Sequence, residues 1–221
     1  MSGAELKLAL FEAIATTGKA LSNGKRLELV DLLAQGERSV ESLAKAAGLG
    51  LTTASAHLQA LKQAGLVATR RDGTRIYYRL AGDDVAALYK QLLLVARAHQ
   101  PAAEQARIAY LGPEDTDQLS REELLERVRT GTATVIDVRP VEEYRSGHIP
   151  EAVSIPLGEL ESRLSELPAD AEIVAYCRGA NCVLAHDAVR LLRKRRRRAT
   201  RLADGMLEWR LADLPVAVGE G

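Results

Sequence analysis

Only two of the 221 residues are cysteine, and no apolar run reaches the length of about 18 residues that reads as a membrane span. Nor is there a basic stretch leading into an apolar core, the mark of a secretory leader. These absences argue against a membrane-spanning chain and a disulfide-stapled secreted one, and a cytoplasmic location follows. In a reducing compartment two close cysteines are more often reactive or metal-binding than a permanent staple. Net charge is lacking too, with 30 Lys+Arg against 30 Asp+Glu. What is present is 47% hydrophobic residues on a chain long enough for two domains.

The neutral total conceals an uneven distribution. Residues 1–98 hold 13 Lys/Arg and 9 Asp/Glu, whereas residues 99–221 hold 17 and 21, so the halves carry +4 and −4. Within residues 45–80, Lys45, Lys62, Arg70, Arg71, Arg75 and Arg79 face a single acid, Asp72. A local excess of this kind suits a polyanion such as DNA.

The first half reads as helices. Leu6, Leu10 and Ile14 share a face; Asn23 can cap a helix from Lys25 to Ala34; Ser39 caps a third, "VESLAKAA", which Gly48 stops. The residue three after Ser39 is Ser42, neither acid nor Gln, so only half of a capping box is present. "LTTASAHLQALKQA" follows with Ala54, Leu58 and Leu61 at helical spacing. The period then becomes alternating, with "LVATR" and "RIYYRL" flanking "RDGT", whose Asp-Gly pair is a strong hairpin signal. Two helices at a short turn plus a basic hairpin make a winged helix-turn-helix. A further helix from Asp83 to about Ala98 carries Val85, Leu88, Tyr89, Leu92, Leu93 and Ala96 in one wide stripe. That stripe either packs on its own domain or, as such DNA readers span two half-sites, pairs with the first helix of a second subunit, which is the expectation.

Residues 99–118 contain two prolines and no sustained period, and read as a linker with room for a helical turn around Ala102 to Tyr110. Beyond it strands alternate with helices: "REELLERVR" (helix), "ATVIDV" (strand), "VEEYRSG" (helix), "AVSIPL" (strand), "GELESRLSEL" (helix), "EIVAYC" (strand), "VLAHDAVRLLRKR" (helix), "ATRLAD" (strand). The alternation implies a parallel sheet covered on both faces. Both cysteines fall in "YCRGANCVLAHDAVRLL", where a strand hands over to a helix, the place where ligands sit in such sheets. The loop from Arg178 to Cys182 can turn its amides toward Cys177. With Gly179 allowing a tight curl and Arg178 adding positive charge, Cys177 is expected to titrate below the free-cysteine value of about 8.5.

"VIDVRPVEEYRSGHIPEAVSIPL", "VAYCRGANC" and "LADGMLEW" resemble, in order, the motifs of the rhodanese family, over about Ser120 to Val218. Asp137, Arg139, Glu143, Tyr144, Gly147, His148, Ile149 and Pro150 match the upstream motif, and Gly205 and Trp209 the closing one. The resemblance implies a persulfide on Cys177. Cys182 stands where a basic residue often ends the rhodanese loop, which puts ordinary thiosulfate turnover in doubt. Two readings of Cys182 stand side by side: a resolving thiol that bridges to Cys177 through a disulfide or polysulfide, or a small apolar residue at a helix start. A phosphatase-type loop would need an Arg at Val183 to clamp oxyanion oxygens. Two cysteines alone fall short of a zinc site. His148 is read as orienting a loop, Asp137 and Arg139 as a fold-stabilising pair, and Arg193 to Arg198 as a solvated helix end.

The segment "KRLELVDLLAQGERSVESLAKAAGLGLTTASAHLQALKQAGLVATRRDGTRIYYRL" resembles the ArsR family of dimeric bacterial repressors, over about residues 4–98. By that resemblance the helix from Leu51 to Ala64 enters the major groove. Thr52, Thr53, Ser55, Ala56, His57 and Gln59 then lie near the bases, and Arg70, Arg71, Arg75 and Arg79 on the wing meet phosphates. "VESLAKAA" lacks the cysteines by which many ArsR proteins hold metal, and Asp83, Asp84 and His99 lack paired histidines, so no metal or cofactor is expected. The expectation is a mainly α winged helix-turn-helix over 1–98, a linker over 99–118 and an α/β rhodanese-like domain over 119–221. Such a protein would be a homodimeric regulator of a double-stranded operator, answering to a small sulfane-sulfur donor or acceptor through Cys177, Arg178, Gly179 and Cys182. The alternatives are a sulfurtransferase whose first domain mainly dimerises or localises it, and a plain thiol redox switch.

Overall fold

A computed structural model describes residues 1–113 and 116–220. The chain divides into two compact units, Met1–Gln91 and Leu92–Gly221, and the division falls inside a helix.

In the first unit α1 (Gly3–Leu21) starts at Ser2 in a full capping box with Glu5. Asn23 accepts from the Arg26 amide to start α2 (Gly24–Ala34). Ser39 does the same for α3 (Val40–Ala46), accepting from the Ser42 amide. Leu29, Leu43, Leu58 and Leu61 are fully buried where α2, α3 and α4 (Leu51–Gln63) meet. A three-stranded antiparallel sheet, order β1-β3-β2, closes the unit: β1 (Arg38–Ser39), β2 (Val67–Asp72) and β3 (Arg75–Leu80). The hairpin turn sits one residue later than its Asp-Gly signal implies. Asp72 pairs with Arg75 in the ladder, and Gly73, at φ 59°, is the first turn residue. Thr74 is not in the left-handed region, so a single positive φ carries the turn, as a type II′ turn requires. α5 (Asp83–His99) follows, packing Val85, Ala86 and Tyr89 inward.

The second unit contains the end of α5 and then α6 (Pro101–Leu111), a full helix where the sequence reads as linker. Pro101 occupies its first turn, and Leu111 at its far end is buried. The Arg190 guanidinium donates to the Leu111 and Pro113 carbonyls, satisfying groups a helix end leaves orphaned. A five-stranded parallel sheet follows, order β4-β8-β7-β5-β6. Its strands are β4 (Gln118–Leu119), β5 (Ala133–Asp137), β6 (Val153–Ser154), β7 (Glu172–Tyr176) and β8 (Ala199–Leu202), with α7 (Arg121–Arg129), α8 (Val141–Ser146), α9 (Val183–Lys194) and α10 (Met206–Arg210) between or after them. One expected element fails. "GELESRLSEL" is not an α-helix but a run of turns ending in a 3-10 turn at Leu164–Glu166. Leu160 and Leu167 do reach the core, but through bonds three residues apart, Leu160 N–H to Leu157 and Leu167 N–H to Leu164.

Side-chain alternation in the sheet fills two cores. Ile136, Val138, Ile173 and Ala175 face one side with α9, while Val135, Val174 and Tyr176 face the other with Leu124, Met206 and Trp209. The chain runs from β5 outward to β6, then returns across β5 to β7. The ends of β5 and β7 therefore flank the crevice where such sheets bind ligands.

Candidate functional site

Strand parity decides where Cys177 lies. It continues the series Ile173, Ala175, and so turns its sulfur beneath α9 with the apolar core, only 3% exposed. The amides of Gly179 and Ala185 do bear on that sulfur, as a thiolate cradle would need. Two carbonyl oxygens also face it, however, and its thiol donates to Cys182 O at 3.4 Å and Gly179 O at 3.9 Å. Burial pushes the Cys177 thiol well above its ordinary range, and hydrogen bonding toward the Cys182 sulfur raises it further. Burial and the acceptor oxygens thus work against the expected acidity of Cys177, and the two amides work for it.

Cys182 occupies the N-cap of α9 and is 9% exposed. Its thiol is pulled below the ordinary range, first by the adjacent Cys177 thiol, with the Arg178 and Leu184 amides and the Arg178 charge acting the same way. The two sulfurs are neighbours, each free of a disulfide.

Arg178 and Gly179 are placed less simply than expected. The Arg178 guanidinium forks onto Glu143, with Nε to Oε2 at 2.9 Å and Nη2 to Oε1 at 2.6 Å, and the Glu143 side chain is wholly buried. Behind Gly179 stands Glu208, whose carboxylate oxygen would lie 3.1 Å from a Cβ added there and accepts from the Gly205 amide at 3.0 Å. The start of α10 braces the loop, since the Met206 and Leu207 amides donate to the Cys177 and Arg178 carbonyls. Sequence reading did not single out Glu143 and Glu208 for these roles. Glu143 stood inside the quoted motif, next to Glu142 on a short helix, and only the structure shows which of the two acids meets the loop arginine.

The remaining motif residues are structural. Arg139 and Asp137 form a fully buried pair, Nη2 to Oδ2 at 2.5 Å, joined by the Tyr176 hydroxyl at 2.7 Å and by the Gly147 carbonyl. His148 stacks on Tyr144, with ring centroids 3.7 Å apart, and its backbone bridges to Ala217. In the run Arg193 to Arg198, Arg193 and Arg195 pair with Asp117 and Glu161, and Arg197 donates to the Leu167 and Pro168 carbonyls. No group of three metal-ligating side chains occurs among the described residues, and none of the described helices is long and apolar enough to cross a membrane.

In the first unit α4 buries Ala54, Leu58 and Leu61, which leaves Thr52, Ala56, Gln59 and Gln63 outward at helical spacing. Thr53 is exposed, while Ser55 and His57 lie at the flanks and are half-buried. Gln63, in register with Thr52 and Ala56, was overlooked although the spacing shows it. Gln59 donates to the Tyr78 hydroxyl at 3.0 Å and so ties α4 to the hairpin. Arg71 and Arg75 are exposed on the hairpin, as is Arg79. Arg70 instead bonds Glu37 at 2.7 Å and lies over the Tyr77 ring.

Two family descriptions match the chain: "Bacterial regulatory protein, arsR family" over residues 23–69, and "Rhodanese-like domain" over residues 120–212. The HTH-type transcriptional regulator Rv0324 of Mycobacterium tuberculosis is 57% identical over 96% of this chain and 94% of its own. A sulfurtransferase of Allochromatium vinosum is 31% identical over 48% of this chain and 98% of its own. Among solved structures, the homodimeric winged helix-turn-helix DNA-binding domain (fragment 1–100) of Mb0332 from Mycobacterium bovis is 56% identical. It covers 46% of this chain and 95% of its own, with a TM-score of 0.42. The chain therefore belongs to the ArsR-type HTH transcriptional regulators, in a form that carries a rhodanese-like domain after its winged helix-turn-helix.

Proposed function

We propose that this regulator binds its operator as a homodimer and that its rhodanese-like domain takes up sulfane sulfur at the Cys177–Cys182 pair, which biases DNA affinity. The observation that carries the sulfur reading is the pair itself: two neighbouring free thiols in the loop at the crevice between β5 and β7. Dimerisation is supported by α1, where Leu6, Leu8, Leu10, Phe11 and Ile14 are exposed, an apolar area that a lone folded unit would rarely leave in water. A second copy covers it and sets two recognition helices on successive half-sites. Thr52, Thr53, Ser55, His57 and Gln59 then supply groups near the bases, with Arg71 and Arg75 on phosphates and Arg70 steadying the wing.

The test compares operator binding by wild type and Cys177→Ser with and without a persulfide donor. A donor-induced change in affinity of roughly tenfold, near 1.4 kcal/mol of coupling, is expected in wild type and absent in the variant. Sulfur-insensitive binding combined with rapid sulfur transfer to cyanide would instead make the second domain a sulfurtransferase.

A further inference from the structure

Six basic residues in a row, Arg193 to Arg198, carry the chain from the last turn of α9 to β8. The Arg197 N–H donates to the Leu192 carbonyl at 3.0 Å and the Arg196 N–H to the Arg193 carbonyl at 2.9 Å, the two bonds of a Schellman motif. That motif needs one left-handed residue just past the helix, a place glycine fills without cost. Here the residue is Arg196, at φ 59°, with its side chain exposed. The helix dipole favours cations in the last turn, which accounts for Arg193 and Lys194. It does not account for an arginine beyond the helix in a strained conformation, and strain of this kind is kept where a function needs the side chain.

Two of the six charges are cancelled, Arg193 by Asp117 at 2.8 Å and Arg195 by Glu161. Arg197 and Arg198 donate to main-chain carbonyls, those of Leu167, Pro168 and Asp170, which hold the guanidinium groups in place without neutralising them. Lys194 and Arg196 are exposed and have no side-chain partner among the described residues. Four cations thus stand beside one acid outside any ion pair, Asp170. Helix α9 has 12 residues, about 18 Å at the usual rise, and starts at the Cys182 cap, so this turn lies at the far end of the sheet from the cysteine loop. We propose that the turn Lys194–Arg198 is a phosphate-binding surface for duplex DNA, a contact made by the rhodanese-like unit in addition to the recognition helix and the wing. Duplex DNA is favoured among polyanions because the same chain carries a DNA-binding winged helix-turn-helix. A basic surface tethered to that domain meets the phosphates at high effective concentration. Such a contact adds affinity and reads no sequence.

The experiment uses the full chain and a random-sequence duplex of about 40 base pairs, titrated by fluorescence anisotropy over a salt series. The double variant Lys194→Gln, Arg196→Gly removes two cations per protomer. It should lower the log–log salt slope by about two units per protomer and weaken binding at low salt roughly tenfold or more. Glycine suits the left-handed position, so the urea midpoint of this variant should hold or rise, which separates lost contact from lost fold. The double variant Lys194→Arg, Arg196→Lys keeps both charges and should keep the wild-type slope. An unchanged slope and affinity in the charge-removing variant overturns the proposal, as does a slope that falls equally in both variants. Phosphatidylglycerol vesicles form the second arm: if the charge-removing variant loses vesicle binding and keeps duplex binding, the turn belongs to a membrane surface and the DNA assignment falls.

Discussion

Replacing Gly205 with alanine should destabilise the rhodanese-like unit by about 3–5 kcal/mol. A Cβ there would lie 2.5 Å from the Cys177 carbonyl oxygen and 2.6 Å from the Arg178 carbonyl carbon, and would press on the Gly179 amide nitrogen as well. All three are main-chain atoms, so none can swing aside, and α10 must retreat from the loop. Strain in Gly205 itself is not the cause, since its φ of −147° is ordinary extended backbone. Retreat breaks the bonds from Met206 N–H to Cys177 O, 3.0 Å, and from Leu207 N–H to Arg178 O, 2.9 Å. At about 1 kcal/mol for each bond plus about 1–3 kcal/mol for overpacking, the sum reaches the range given. Trp209, the sole tryptophan, is buried on α10 and reports this unit's unfolding by fluorescence in urea. Gly158→Ala, where an added Cβ meets nothing within 4 Å, is the control and should lie near zero. A Gly205→Ala loss below about 1 kcal/mol would show that α10 does not brace the cysteine loop.

Arg71→Gln and Arg75→Gln should each lower the log–log salt slope of duplex binding by about one unit per protomer and weaken all sequences alike, whereas Arg70→Gln, already held by Glu37, should change it less. Anisotropy titrations over a salt series measure this, and equal slopes for wild type and the Arg71 and Arg75 variants would remove the wing from the interface. His186 is buried on α9 with Nδ1 unpartnered; burial, reinforced by the charges of Arg201 and Arg190, holds its pKa down to about 4. The unfolded histidine binds its proton near 6.5, so between these values the unfolded chain carries more protons, and stability falls as pH drops through that window by up to about 3 kcal/mol. Urea midpoints at pH 7 and pH 5 should converge in His186→Gln; an unchanged pH dependence in that variant refutes the assignment.

Most of the fold was legible because short-range chemistry agreed with long-range packing. Asn23 and Ser39 cap where their side chains allow, and "REELLERVR" forms a helix over Arg121–Arg129. The failures share a cause. Around Leu160 the apolar spacing of a helix is met by turns, because the chain must thread Leu160 and Leu167 into the core between Pro156 and Pro168. At 101–111 the weak apolar period hid a helix held in place by Arg190, a residue 79 positions away from Leu111. Two-residue strands such as β1 and β4 carry no period at all and exist through their partners, β3 and β8.

The cysteine loop shows how far a local motif reaches. Its position at a strand-to-helix junction, its glycine and its arginine were readable, and they placed both thiols at the crevice between β5 and β7. The surroundings of each thiol depended on features the motif does not spell out. Counting by twos from Ile173 through Ala175 puts Cys177 on the α9 face, in the dry core, and this parity was available in the sequence once that face was known to be covered. Counting back from the first turn of α9 puts Cys182 at its N-cap. The same two periods that build the sheet and the helix therefore give the two sulfurs different surroundings. An inserted residue between Tyr176 and Arg178 would exchange the face of the strand's last side chain and should abolish the difference between the two thiols.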